Sequence, residues 1–294
     1  MTAVPIGRAP APTAARTRGR VGWLPTGILL LGAVYCLFPV LWIVIAATKS
    51  RSELFATSTY VPDLGLGIVR NIGDLSSHSG GIFWQWMLNS VLYALVGGVL
   101  ASAVSACCGY ALAKYAFRGR SVLFNTILAG VLLPPIVLAI PQYLLLSKVG
   151  LSDSYAAVIL PQLFNPYGIY LARIYASASV PEELLEAGRL DGASEGKLFL
   201  SVGLRLMGPG LVTIFLLQFI AIWNNFLLPF VMLSSDSKFP LTVGLFSLLQ
   251  HGSDEASLYS LVVVGTLLAV LPVIVLFLSL QKYWRVDLVS GAVK

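Results

Sequence analysis

The sequence is poor in charge and in histidine. Charged residues make up only 11% of its 294 residues and hydrophobic residues make up 57%, whereas an average soluble domain is about 25% charged and about 45–50% apolar. This balance argues against a soluble enzyme, and it excludes a disordered chain, which needs low hydrophobicity and high charge. The two histidines, His78 and His251, lie in polar segments, so we expect no histidine-based metal site and no cofactor.

Cysteine is also scarce. Cys36, Cys107 and Cys108 all lie in apolar runs, and two of them are adjacent. An odd number without framework spacing predicts no disulfide scaffold, and the chain has neither a CxxC pair nor a His/Cys cluster of zinc spacing.

Long apolar runs are what the sequence has instead. At about 20 residues per helical span, the length has room for roughly six to eight spans. We predict an all-α polytopic membrane protein whose six transmembrane helices lie at about residues 21–47, 84–113, 122–146, 156–176, 206–233 and 258–280. The first run is longer than the roughly 7–15 apolar residues of a signal peptide, so we expect it to be retained. Prolines inside the third and fourth runs predict kinks. These prolines are Pro134, Pro135, Pro141, Pro161 and Pro166.

The distribution of Lys and Arg orients these spans. With six spans, 14 of the 19 basic residues fall on the side of the two termini and 5 fall on the other side. Basic residues accumulate on the cytoplasmic side of membrane proteins, so we expect both termini in the cytoplasm. The chain then divides into a disordered basic tail (1–20), the first span (21–47), an extracytoplasmic loop (48–83), a five-helix core (84–281) and a cytoplasmic C-terminal tail (282–294).

The centres of the six runs hold essentially no ionisable residue. A charge at mid-membrane costs at least about 2.5–3.5 kcal/mol, and where proteins keep one it usually serves function. Its absence argues against a proton-coupled carrier, a voltage sensor and an intramembrane protease. A sodium-coupled carrier that uses backbone carbonyls remains an alternative.

No segment of the chain fits an ATP-binding loop. The nearest match to the phosphate-binding pattern, residues 192–198, is one residue short and lacks the hydroxyl that holds magnesium. We therefore expect that the chain is not an enzyme, and that any ATP is hydrolysed on a partner subunit.

The longest predicted cytoplasmic connection, residues 177–205, carries helix signals. Ser179 lies three residues before Glu182, the spacing of a capping box, and Gly192 is suited to ending a helix. We predict a short helix over residues 180–190 outside the membrane, followed by a second helix that begins near Ala193 and runs through Phe199 into the fifth span.

The predicted short helix has small residues at Ala187 and Gly188, flanked by the carboxylates of Glu186 and Asp191. Small side chains let another surface approach the backbone closely, so the helix could enter a groove of a partner protein. A solvated helix with no partner explains the same residues equally well.

Two groups of residues resemble a known family. The spacing of Glu186-Ala187-Gly188, Asp191-Gly192-Ala193, Phe199, Val202, Leu204 and Pro209 resembles the EAA loop of binding-protein-dependent ABC importer permeases. The stretches 223–229, 239–245 and 290–294 resemble the carbohydrate-uptake branch that includes the maltose-type inner-membrane permeases. The resemblance extends from the first span to the end of the chain. Two positions depart from the family pattern: Gly188 replaces an Ala and Arg205 replaces a Pro. Because Arg205 cannot supply the kink before the fifth span, we expect Pro209 to supply it.

The resemblance implies a fold, a function and partners. It implies the type I ABC importer transmembrane fold, in a multi-pass protein of a bacterial-type inner membrane. The chain would be the permease subunit of an ATP-driven importer for a sugar or oligosaccharide. Its expected partners are a second, different permease subunit, two ATP-binding subunits, an extracytoplasmic solute-binding protein and the lipid bilayer, without nucleic acid. The residues expected to couple to the ATPase are Glu186, Ala187, Gly188, Asp191, Gly192, Ala193 and Phe199. The tail 290–294 either reaches between the ATPase subunits, as the resemblance implies, or is an ordinary tail without that role.

Polar residues inside the fourth and fifth spans are candidates for a solute path. Amides and aromatic faces bind uncharged, hydroxyl-rich sugars, and the candidates are Gln162, Asn165, Tyr167, Trp223, Asn224 and Asn225. The alternative is that such side chains link helices, which is the interpretation we prefer for Gln218. Another cargo, such as glycerol phosphate, also remains open. The external loop 234–257 either contacts the solute-binding protein or is simply solvated; its charged and histidine residues are Asp236, His251, Asp254 and Glu255.

Overall fold

The structure is a computed structural model, and it describes residues 22–58, 60–63, 65–251 and 258–290. Within these ranges every regular element is helical. The predicted basic tail (1–20), Asp254, Glu255 and residues 291–294 lie outside the described residues. The α-helices are α1 Trp23–Thr48, α2 Arg51–Ala56, α3 Gly67–Ser77, α4 Ile82–Lys114, α5 Arg120–Ala129, α6 Pro135–Lys148, α7 Tyr155–Gln162, α8 Pro166–Ser179, α9 Glu182–Leu190, α10 Glu195–Leu198, α11 Leu204–Leu206, α12 Gly208–Trp223, α13 Leu227–Met232, α14 Leu241–His251 and α15 Leu258–Ser290.

Internal contacts divide the chain into two units, residues 1–42 and 43–294. In the first unit, described from residue 22, α1 exposes apolar side chains all around its circumference, including Leu31 at 73% and Tyr35 at 80%. A helix that is hydrophobic on every side is typical of a segment surrounded by lipid. The last turn of α1 belongs to the second unit, which contains all other described helices.

Three helices are long and apolar enough to cross a membrane: α1, α4 and α15 up to Tyr283. Two further candidates among the described residues are bent pairs. Arg120–Leu132 meets Pro135–Lys148 at 105°, and Glu195–Leu206 meets Gly208–Trp223 at 76°. Length and composition therefore give three to five candidate spans, whereas the sequence predicts six.

Prolines explain why the predicted third and fourth spans are not continuous helices. Proline disfavours the helical conformation in the residue before it, and Leu133 before Pro134 is extended. Pro141 and Pro161, by contrast, lie inside α6 and α7. In the predicted fourth span Asn165 precedes Pro166 and is also extended, with φ −110° and ψ 102°. That segment consists of two short helices, α7 and α8, rather than one.

Helix α4 is the centre of the second unit and packs along both α8 and α12. Glycines make this close approach possible, as is usual between membrane helices. A Cβ added at Gly109 would lie 2.6 Å from the backbone nitrogen of Arg173 on α8. A Cβ added at Gly97 would lie 2.8 Å from Cδ1 of Ile222 on α12. The small residues of α4 therefore bring three helices together.

A buried hydrophobic cluster lies at each end of α4. The first forms around Phe83, Trp86 and Tyr93 near the start of the helix. The second, which we call the loop-side cluster, joins the end of α4 to the segment that follows α8. Its buried members are Tyr110, Ala172, Ala176, Val180, Leu185, Leu198, Met207 and Ile214.

The predicted extracytoplasmic loop, residues 48–83, contains the helices α2 and α3. The Ser50 side chain and Glu53 form a capping box at the start of α2. The Asn71 side chain on α3 donates hydrogen bonds of 2.9 Å to the carbonyls of Ala47 and Lys49, which fixes α3 to the end of α1.

Candidate functional site

A cavity of about 610 Å³ opens between α6, the link from α7 to α8, and the start of α13. Most of its wall is apolar, and no charged side chain is among the described residues that line it. These residues are Gly130, Val131, Leu133, Pro135, Leu138, Ala139, Gln142, Leu160, Pro161, Gln162, Phe164, Asn165, Pro166, Tyr167, Asn225, Leu227 and Leu228. An apolar cavity with a few convergent polar groups is typical of a small-molecule site.

Asn165 is held in place by the break between α7 and α8. Its Oδ1 accepts a hydrogen bond of 3.1 Å from the Tyr167 N–H and so caps α8. Its Nδ2 donates a bond of 2.5 Å to Oε1 of Gln218 on α12. The Gln218 Nε2 in turn donates to the Gln162 carbonyl at 3.2 Å. The prediction that Gln218 links helices is therefore confirmed, and Asn165 belongs to the same link.

Other polar groups of the cavity remain available to a ligand. The side-chain amides of Gln142 and Gln162 and the hydroxyl of Tyr167 make no hydrogen bond to any described residue. Asn225 accepts a bond of 3.2 Å at Oδ1 from the Leu228 N–H, and its side-chain NH2 has no partner within the described ranges. Donors and acceptors without partners in a confined, uncharged space suit a ligand rich in hydroxyl groups.

The structure brings together four of the six residues that the sequence suggested for a solute path: Gln162, Asn165, Tyr167 and Asn225. The other two lie elsewhere. Trp223 is buried away from the cavity and stacks on Phe219, with ring centroids 5.7 Å apart. Asn224 is exposed, and its Nδ2 donates to the Ile220 carbonyl of its own helix at 2.9 Å.

Gln142 was missed by the sequence interpretation, although it lines the same cavity. A usable signal exists in the sequence. Gln142 directly follows Pro141 and is an uncharged polar residue inside an otherwise apolar run.

A second candidate site is the connection between α8 and α12, which contains the predicted short helix as α9. The predicted capping box is wrong. Ser179 is the last residue of α8, where its hydroxyl donates to the Tyr175 carbonyl, and α9 has no side-chain cap. Pro181 occupies the N-cap position of α9 instead, without a side-chain cap.

The start of α9 is held by the end of α4. The Nζ of Lys114 donates to the Val180 carbonyl at 2.5 Å and lies 3.5 Å from Oε2 of Glu182. The ammonium group thus satisfies a backbone acceptor just before the helix and pairs with a carboxylate in its first turn. This contact attaches the start of α9 to the end of α4, while the first N–H groups of the helix have no side-chain cap.

The end of α9 has the geometry that the sequence predicts. Gly192 has φ +77°, a left-handed conformation that favours glycine. The Ala193 N–H donates to the Gly188 carbonyl at 2.9 Å, and the Gly192 N–H donates to the Arg189 carbonyl at 3.0 Å. This pair of bonds is the Schellman arrangement, which fixes the direction in which the chain leaves the helix.

One face of α9 packs on the protein and the other is exposed. Leu185 is fully buried in the loop-side cluster, and a Cβ at Gly188 would collide with Leu198. The exposed face includes Glu186, Ala187 and Leu190, the last at 90% exposure. Gly188 is therefore a packing residue within the connection, while Ala187 lies on the open face.

The remaining predicted coupling residues lie in the turn and behind it. Asp191 is the exposed C-cap residue of α9. Ala193 and Phe199 pack on the loop-side cluster, where the ring of Phe199 lies 5.0 Å from that of Tyr110. Asp191 and Gly192 are therefore exposed, whereas Ala193 and Phe199 are partly covered.

The backbone bends by 76° between this connection and α12. Pro209 lies in the first turn of α12, and Arg205 is exposed just before the bend. The bend thus occurs where Pro209 leads us to expect it, although Arg205 replaces the usual proline.

The opposite end of α4 holds a polar cluster around Asp153. Its Oδ2 lies 2.8 Å from Nζ of Lys238, and its Oδ1 accepts the N–H groups of Ser234 and Ser235 at 3.0 Å each. These bonds lower the pKa of the Asp153 carboxyl well below its ordinary value of 3.8, and the bond from Lys238 has the largest effect. Asn89 on α4 completes the attachment by donating to the carbonyl of residue 237 at 2.8 Å. The link between α13 and α14 is thereby fixed to α4.

Residues 83–285 match a family described as "Binding-protein-dependent transport system inner membrane component". The chain is 34% identical over 280 residues to an arabinooligosaccharides transport system permease protein from Halalkalibacterium halodurans, covering 95% of this chain and 99% of that protein. It is 30% identical over 272 residues to an sn-glycerol-3-phosphate transport system permease protein from Pectobacterium atrosepticum, covering 90% and 94%.

The fold also matches a solved structure. A crystal structure of a bacterial ABC transporter involved in the import of the acidic polysaccharide alginate contains a chain that superposes with a TM-score of 0.77 at 24% sequence identity. The match covers 93% of this chain and 99% of that chain. The described helices therefore have the arrangement of an ABC transporter chain.

Proposed function

Because this chain belongs to the binding-protein-dependent transport system inner membrane components, we propose that it is the permease subunit of an ATP-driven importer for a sugar or oligosaccharide. The observation that carries the cargo class is the cavity beside the α7–α8 break. Its polar groups are amides and a phenol, and its described lining has no charge. The 34% identical relative named for arabinooligosaccharides supports the same class.

The polar groups of the cavity match the chemistry of a sugar. A sugar presents hydroxyls that both donate and accept hydrogen bonds, and an amide side chain can likewise do both. Gln142 comes from α6, Gln162 from the end of α7 and Asn225 from the link between α12 and α13, so a bound ring would contact groups on several sides at once. The bound solute would also cover the apolar wall and remove it from water.

Glycerol 3-phosphate is the second candidate cargo, because one relative is named for it. A phosphate dianion would require cationic or several N–H donors to offset its desolvation. The described cavity lining offers no Lys or Arg, which is why we rank this cargo behind a sugar.

Energy would reach the permease through α9. The helix is firmly attached by Leu185 and by the turn at Gly192, yet it exposes Glu186, Ala187 and Leu190. A rigid helix with an exposed face can transmit a push from a nucleotide-hydrolysing subunit as one body. The full system would include two such subunits, a second permease chain and an extracytoplasmic solute-binding protein.

We further propose six spans with both termini in the cytoplasm. The three long helices and the two bent pairs would be five of the crossings, and the broken pair α7–α8 would be the sixth. The turn of α9 would then face the cytoplasm at one end of α4. The Asp153–Lys238 cluster would face outward near the other end, about 38 Å away along α4, measured from Lys114 to Asn89 at about 1.5 Å per residue.

Uptake into proteoliposomes tests this function. The complete transporter would be reconstituted with its binding protein, and the uptake of labelled arabinotriose and of labelled glycerol 3-phosphate would be compared with and without ATP on the cytoplasmic side. We expect ATP-dependent uptake of the sugar. Uptake of glycerol 3-phosphate alone would contradict the cargo class. Transport by this chain alone under a sodium gradient would instead indicate a secondary carrier.

A further inference from the structure

We propose that Tyr167 is a stacking platform for one ring of the sugar, held in position by Tyr170, Phe124 and Arg173. This inference rests on the proposed function, and it specifies how the cavity recognises its cargo. Tyr167 lines the cavity and is 48% exposed, so part of its ring is free to contact a ligand.

Four side chains form a continuous stack that ends at the cavity. The Tyr167 and Tyr170 rings have centroids 6.4 Å apart and an interplanar angle of 27°. The Tyr170 and Phe124 rings are 6.3 Å apart at 24°. Cζ of Arg173 lies 3.7 Å from the centroid of the Phe124 ring. These separations are within the range in which aromatic pairs and cation–π pairs attract one another.

The stack joins two elements. Tyr167, Tyr170 and Arg173 are spaced three residues apart on α8 and therefore share one side of that helix, while Phe124 comes from α5. Arg173 covers Phe124 at the far end of the stack. Tyr167, at the near end, is half exposed and keeps its hydroxyl without a partner among the described residues. The orientation of the Tyr167 ring is thus restricted before any ligand arrives.

A pre-positioned ring of this kind fits the apolar face of a sugar. The C–H groups of a sugar ring form a flat surface that an aromatic face covers well, while the hydroxyls at its edge remain available to the amides of Gln142, Gln162 and Asn225. Restricting the ring in advance reduces the conformational entropy that binding would otherwise remove.

The stack also accounts for an arginine within α8. Lys and Arg inside a membrane segment normally need a partner, and the Phe124 ring supplies one for Arg173. We therefore assign Arg173 a positioning role in the stack, without direct contact to the solute.

Substitutions at Tyr167 test the platform in the complete reconstituted transporter with labelled arabinotriose. Tyr167→Phe keeps the ring, so we expect a KM near that of the wild type. Tyr167→Leu removes the ring, and we expect KM to rise by roughly tenfold. Tyr143→Leu is the matched control, because Tyr143 is also partly exposed but does not line the cavity; its KM should not change.

Phe124 tests the positioning role. Phe124→Leu interrupts the stack without touching the cavity, and we expect KM to rise by a few-fold with the maximal rate unchanged. Phe124→Tyr keeps an aromatic ring at the same place and should restore the wild-type KM. A purely structural defect would lower the maximal rate and the yield of assembled transporter instead.

The outcomes separate this inference from the proposed function. A wild-type transporter that imports no sugar contradicts the proposed function and the platform with it. A wild type that imports sugar, together with a Tyr167→Leu variant of unchanged KM, overturns the platform alone. The platform is also overturned if Tyr167→Phe is as impaired as Tyr167→Leu, because Tyr167 would then act through its hydroxyl. Failure of Tyr167→Leu to co-purify with the other permease subunit overturns it as well, because Tyr167 would then be an interface residue.

Discussion

Arg189 and Glu195 face each other across the turn that ends α9, with Nε of Arg189 2.7 Å from Oε1 of Glu195. A second bond of 3.3 Å joins Nη2 to Oε2, so the pair is bidentate. Exposed ion pairs contribute about 0–1 kcal/mol, and both side chains here are substantially exposed. The attachment of α9 therefore depends more on the turn at Gly192 and on the burial of Leu185.

Gly192 provides the first prediction. Gly192→Ala places a side chain in the left-handed region at φ +77°, which costs about 1–2 kcal/mol. Because no atom lies within 4 Å of the added Cβ, the cost is purely conformational. We expect the ratio of solute imported to ATP hydrolysed to fall several-fold in proteoliposomes.

The matched control for Gly192 is Gly196→Ala. Gly196 also has open space around an added Cβ, but it lies in α10 with helical backbone, where alanine is favoured over glycine by up to about 1 kcal/mol. Its coupling ratio should equal that of the wild type. Equal coupling in both variants would show that the left-handed turn does not matter for transport.

The second prediction separates the two faces of α9. Leu185→Ala empties a fully buried position in the loop-side cluster and should destabilise the fold by about 2–5 kcal/mol. Leu190→Ala removes a side chain that is 90% exposed, so the melting temperature should hardly change. We expect Leu190→Ala to weaken co-purification of the ATPase subunit. Unchanged co-purification at an unchanged melting temperature counts against docking through this face.

The third prediction concerns pH and the Asp153–Lys238 pair. The folded-state pKa of Asp153 lies below its ordinary value of 3.8, so its charge stabilises the folded protein above that value. The stabilisation is lost as pH falls below about 3.8 towards the folded-state pKa. Asp153→Asn should therefore lower the melting temperature at pH 7, by the equivalent of roughly 1–2 kcal/mol, and the difference should shrink in acid.

The backbone of Asp153 makes asparagine the right substitution. Its φ is +52°, a conformation that asparagine tolerates about as well as aspartate. Asp153→Ala would add backbone strain to the loss of charge. If the melting temperatures of the wild type and Asp153→Asn differ by the same amount at pH 7 and in strong acid, the charge is not the source of the stabilisation.

Local signals in the sequence were the ones that predicted structure correctly. Gly192 ends α9 because its conformational freedom is intrinsic to glycine. The third and fourth runs are interrupted before Pro134 and Pro166, where the preceding residue is extended. The capping box predicted from Ser179 is the local signal that proved wrong. The Ser179 hydroxyl bonds to the Tyr175 carbonyl of the preceding helix, and α9 begins without a side-chain cap.

Features that depend on distant contacts were not accessible from the sequence. The cavity is lined by Gln142 of α6 and by Asn225 of the link between α12 and α13. Nothing in the local pattern distinguishes Asn225 from its exposed neighbour Asn224. The aromatic stack required Phe124 of α5 to lie beside Tyr170 of α8. Which polar residues face a cavity is decided by helix packing, which local residue patterns do not specify.

Photo-cross-linking of α9 tests the central claim most directly, namely that the permease is driven mechanically through this helix. A benzoylphenylalanine would be placed at Leu190, which is 90% exposed, and as a control at Leu66, which is 79% exposed but lies in the predicted extracytoplasmic loop. The account predicts a covalent adduct between position 190 and the ATPase subunit in the assembled transporter, and none from position 66. An active transporter that gives no ATPase adduct from any exposed position between 182 and 193 would contradict it.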